Sequence, residues 1–64
     1  MLMTFAEEMR CRWPGLVIWP GTATGRWWAM HPALPHLVDG ATPREIAERL
    51  RYRLEAAGVS EHPL

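Results

Sequence analysis

Residues 25–50 read GRWWAMHPALPHLVDGATPREIAERL, and the fold turns on how that stretch divides. Its second half is the plainer part. Thr42 stands where an N-cap is wanted, Pro43 at the first helical position, and Glu45 three residues after the cap, which makes a capping box. Ile46, Leu50, Leu54 and Ala57, with Ala47 beside them, recur at helical spacing and form one apolar face. Glu45/Arg49 and Arg51/Glu55 pair at i,i+4 on the solvent side. Gly58 suits a left-handed terminus, with Val59 folding back on Leu54 as in a Schellman motif. The spacing predicts a helix over about 43–57.

The first half reads as strand. RWWAMH is aromatic-rich and one strand long, spanning about 26–31. Alternation puts Trp28 and Met30 on one face, and Trp27, Ala29 and His31 on the other. Upstream, the loop GTATG carries a glycine at each end. Before it lies the β-branched run LVIWP, a strand over about 16–20. The two runs make an antiparallel hairpin that is apolar on both faces. Pro32 and Pro35 favour an extended connection, so the third strand, about 36–39, is edge-like and leaves through Asp39-Gly40.

The N-terminal segment TFAEEMRCRWPG supplies a second helix, about 5–12. Thr4 and Glu7 form its capping box, and Phe5, Met9 and Trp13 form one stripe. Glu8/Arg12 pair on the other side, and Pro14-Gly15 ends the helix. Residues 59–64 form the tail, of which SEHPL (60–64) reads as frayed. The order helix, three strands, helix predicts one α+β domain over residues 1–64. Its architecture is an αβββα two-layer sandwich, a three-stranded antiparallel sheet with two helices on one face.

The totals constrain function. A chain of 64 residues buries only about 60% of its unfolded surface, so its stability is marginal. Cys11 is the sole cysteine, which rules out an internal disulfide. No basic segment followed by an apolar run opens the chain, and the longest apolar run, Leu16 to Pro20, is too short for a bilayer. A soluble cytoplasmic protein is expected. Seven arginines balance seven acids, so no net positive field drives nonspecific nucleic-acid binding.

Chemistry-bearing residues are few. His31, His36, Asp39 and Cys11 are of metal-binding type, but their spacing is irregular and two prolines intervene. Histidine is the side chain suited to acid–base work, yet no nucleophile or second carboxylate accompanies His31 at a telling distance. No catalytic residue, metal or cofactor is expected.

Four resemblances bear on these residues. The element order is that of double-stranded-RNA-binding domains, which read shape and backbone. It is also that of HicA-type toxins, whose glycine-serine-histidine step, later His-Pro and closing helix are similar to Gly25-Arg26-Trp27, His31-Pro32 and LRYRLEAAGVSE here. That likeness implies the scaffold of a small ribonuclease, with Trp27 where the catalytic histidine would stand. The segment Pro32, Leu34, Pro35, Gly40, Thr42, Pro43, Glu45 resembles HicB-type antitoxins, which implies a protein-binding role. As a whole, with WPGLVIW and GRWWA, the chain resembles short αβββα proteins of GC-rich bacteria whose function is not known.

Four tryptophans in such a chain weigh most. With Trp28 and Met30 facing the helices beside Leu16 and Ile18, the open sheet face would hold Val17, Trp19, Trp27 and Ala29. With the register reversed the other set is exposed, and either way a tryptophan lies on the sheet surface. Exposed apolar patches and tryptophans mark contact sites. The expected function is a noncatalytic protein-interaction module, a homodimer through the sheet being one form of it. Its contact residues would be Trp27, Trp19, Val17 and His31. The competing reading is an RNA- or DNA-contacting regulator using Arg26, Arg44 and Arg51. Clustered, unpaired arginines would favour nucleic acid; dispersed, paired ones would favour protein.

Overall fold

The computed structural model describes residues 2–62. Helix α1 (Phe5–Arg12) leads into strands β1 (Val17–Gly21), β2 (Arg26–Met30) and β3 (Val38–Gly40), and helix α2 (Pro43–Ala56) follows. The sheet is antiparallel with order β1-β2-β3. Helix α1 packs on β1, and α2 packs on β3 and β2. This is the α+β two-layer sandwich that the element order predicts. The molecule is accordingly flat, 33 × 32 × 17 Å.

Local chemistry sets the helix ends. At α1 the Thr4 side chain accepts from the Glu7 amide at 3.1 Å, and the Glu7 carboxylate accepts from the Thr4 amide at 2.9 Å. At α2 the Thr42 hydroxyl accepts from the Glu45 amide at 3.1 Å. The Glu45 carboxylate differs from the reciprocal box that its position predicts, because it takes the Ala41 amide at 2.9 Å instead of that of the cap. Helix α2 ends in a Schellman pair, Gly58 N–H to Glu55 and Val59 N–H to Leu54.

The core is wholly apolar: Met9, Trp13, Leu16, Ile18, Ala29, Val38, Ile46, Leu50 and Leu54. Truncating any of its three α2 members would cost about 2–5 kcal/mol. Gly40 brings α2 onto the sheet, since a Cβ there would lie 2.6 Å from the Ile46 nitrogen.

Three sequence expectations need correction. The third strand occupies residues 38–40, not 36–39, leaving His36 and Leu37 in the connection. Val59 packs on the core as the Schellman reading expects, but the segment after it is not frayed over residues 60–62. The His62 amide donates to the Arg12 carbonyl at 2.7 Å, and Glu61 reaches both Arg12 and Arg51. The rest of the expected tail, residues 63–64, lies outside the described residues.

The third correction concerns the tryptophans. Ile18 pairs with Ala29, Pro20 with Trp27, and Trp19 with Trp28. Partners share a face, so the helix side of β2 carries Trp27 and Ala29, not Trp28 and Met30. A hairpin closed symmetrically on Gly21 and Gly25 would set Ile18 opposite Trp28. Instead Gly21 pairs with Arg26, and Gly25, at φ 69°, drops into the loop. One residue of slip flips every side chain. Packing agrees with that register. Ala29 is fully buried in the same core cluster as Trp13, and Trp27 meets Phe5 edge to face at 5.1 Å.

Candidate interaction surface

Opposite the helices, the sheet presents two cross-strand rows. Val17 pairs with Met30, and two residues along, Trp19 pairs with Trp28. Val17 is 51% exposed and Met30 47%, whereas the tryptophans are half-buried. The aromatic row is held from the hairpin side. The Trp28 indole N–H donates to the Thr24 hydroxyl at 3.2 Å, and a Cβ on Gly21 would fall 2.6 Å from that nitrogen. Glycine at 21 is therefore what lets the indole lie down over the loop.

The aliphatic row runs into an open cleft of about 420 Å³ formed by Val17, Met30, Leu34, Pro35 and Leu37. Leu37 is 49% exposed and extends the apolar surface beyond β2. Its wall is fixed by His31. Ala33 N–H donates to His31 Nδ1 at 3.0 Å, so Nδ1 is unprotonated and Nε2–H donates to the Pro14 carbonyl at 3.0 Å. Both ring nitrogens are thus spent on backbone groups, tying the 31–37 connection to the end of α1.

The expected contact residues divide. Val17 and Trp19 lie on the open face; Trp27 lies on the helix face and is no part of that surface. His31 props the cleft by its ring nitrogens. Trp28, Met30 and Leu37 belong to the surface and were not among the expected contacts. The signal that would have found the first two is the hairpin register, since Ile18 opposite Ala29 dictates them.

The arginines of the nucleic-acid reading are each held by carboxylates. Arg26 donates to Asp39 at 2.7 Å and lies 3.6 Å from Glu45. Arg44 pairs with Glu48 at 3.2 Å and Arg51 with Glu61 at 3.3 Å. Among the described residues no polar or charged side chain is buried, and no three His, Cys, Asp or Glu side chains sit together as metal ligands would. Asp39 is engaged by Arg26 and Arg49, and Cys11 stands exposed on α1. A second cleft, also about 420 Å³, opens between the helices over Met9, Trp13 and Tyr52, flanked by the Glu61 pairs. No helix among the described residues is long and apolar enough to cross a membrane.

No family model, curated protein or solved structure matches this chain.

Proposed function

We propose that this protein is a noncatalytic interaction module that binds a protein partner through the open sheet face. The observation that carries the reading is the continuous apolar surface of Val17, Trp19, Trp28, Met30 and Leu37, in a molecule whose other face already covers its core. Such surfaces, centred on tryptophan and edged by polar groups, are the common form of a binding site. The paired arginines support a protein partner over nucleic acid. In the HicA-like alignment the catalytic position falls on Trp27, which is packed against Phe5. We take the module to act in the cytoplasm, where a reducing environment would keep the exposed thiol of Cys11 free.

The test is affinity capture from a lysate of the source organism. Wild type is compared with Met30→Arg, on the face, and Arg44→Glu, away from it. Wild type and Arg44→Glu should retain the same protein, and Met30→Arg should lose it. Equal retention by all three would remove the sheet face from the reading. Retention of RNA, weakened by Arg44→Glu, would favour the regulator instead.

A further inference from the structure

We propose that the occupant of the open face is a second copy of this chain, packed sheet to sheet about a two-fold axis. The proposal rests on the reading above and names its partner. The face is self-complementary in shape. Its bulky row, Trp19 and Trp28, lies beside its slimmer row, Val17 and Met30, one pleat repeat along the strands. A two-fold axis between the sheets, running across the strands midway between the rows, sets the tryptophans of each copy over the valine and methionine of the other. Large residues then meet small ones, as packed layers require, and the contact is isologous and closes at two copies.

Shape and charge agree. The molecule is flat, 33 × 32 × 17 Å, with the helices on one broad side, so the other is open to a second copy. On that side Val17, Met30 and Leu37 are each about half exposed, an apolar centre of the kind that a contact needs. The charged groups bordering the aromatic row are Arg26 and Asp39, already paired at 2.7 Å. Such a border brings no net charge against its own copy, and the chain as a whole is neutral. Lateral pairing through edge strand β1 is disfavoured, because Pro20 interrupts its donors, and the other edge strand, β3, is only three residues long. A 64-residue chain with a single cysteine also lacks the disulfide staple common at this size, and burial of a second layer would supply the missing apolar area.

Sedimentation equilibrium of the full chain over a wide concentration range tests this. Wild type should sediment as a dimer, and Met30→Arg should weaken association about thirty-fold or more, the loss of a hot-spot contact. Far-UV circular dichroism should show Met30→Arg still folded, since its side chain is half exposed. Should that variant unfold, Val17→Glu on the same row reads the same contact. Arg44→Glu, on the outer helix, should leave the dimer intact. A dimer that survives both Met30→Arg and Val17→Glu overturns the proposal. So does a wild type that stays monomeric at millimolar concentration. In that second case the interaction module itself is judged separately, by whether Met30→Arg loses a protein that the wild type captures.

Discussion

Gly40 of β3 lies so close to Ile46 of α2 that a Cβ on the glycine would stand 2.6 Å from the Ile46 nitrogen and 2.8 Å from its Cα. The obstruction is backbone, which cannot swing aside as a side chain does. Gly40→Ala should therefore push α2 off the sheet and cost about 1–3 kcal/mol, as overpacking does. Urea denaturation measures it. A Gly40→Ala protein with wild-type stability would mean that α2 does not seat on β3 as described.

The two adjacent tryptophans should behave as opposites. Trp27 packs on Phe5 and the core, so Trp27→Ala should destabilise by about 3–5 kcal/mol. Trp28→Ala removes one hydrogen bond to Thr24 and part of the open face, and should leave a folded protein impaired in association. Thermal melts of the two variants decide between the registers. If Trp28→Ala is the one that unfolds, the strand lies the other way round.

The Glu7 carboxyl is held below its ordinary value, first by the Thr4 backbone amide and then by the Thr4 side chain. A depressed folded value means that the stabilisation is full above the unfolded value near 4.5 and is lost as pH falls through the lower folded one. Acid should thus loosen the start of α1, and Glu7→Gln should flatten that part of the pH dependence. Amide exchange in α1, followed from neutral pH into acid, is the readout. An unchanged acid limb in Glu7→Gln would mean the box is not what acid breaks.

Glu61 reaches Arg12 at 3.5 Å and Arg51 at 3.3 Å, both at the surface. Pairs of that kind contribute about 0–1 kcal/mol each. Glu61→Ala should hardly move the melting temperature, but it should free the His62 amide to exchange. Protection persisting at His62 would show that its bond to Arg12 needs no help from the carboxylate.

Much of this fold can be read from the sequence because its helices are marked by local chemistry. Thr4 with Glu7 and Thr42 with Pro43 announce helix starts whatever the rest of the chain does. The candidate surface is harder to read, because it depends on register. Met30 looks more apolar than His31, which favours Trp28 as the inward residue. However, His31 lies past the end of β2 and spends its ring on Pro14 and Ala33, so its polarity says nothing about the face. What decides the matter is whether Gly25 closes the ladder or the loop, and a glycine suits both. The last segment escaped for a related reason. Beyond Val59 its anchors are a backbone bond and a carboxylate reaching Arg12, some fifty residues upstream, and no local side-chain pattern records contacts so distant in the chain.

That bond between His62 and Arg12 also bears on how the protein is made. Translation delivers α1 and the hairpin first, and an isolated hairpin is marginal in water. Ile46, Leu50 and Leu54 arrive only with α2, and the clasp onto α1 forms only once residue 62 has been made. Until then α1 and the hairpin lack the α2 side chains that complete their core. Helix α1 and the segment at residues 59–62 thus close the fold together, and α1 with the hairpin alone should not hold a stable structure.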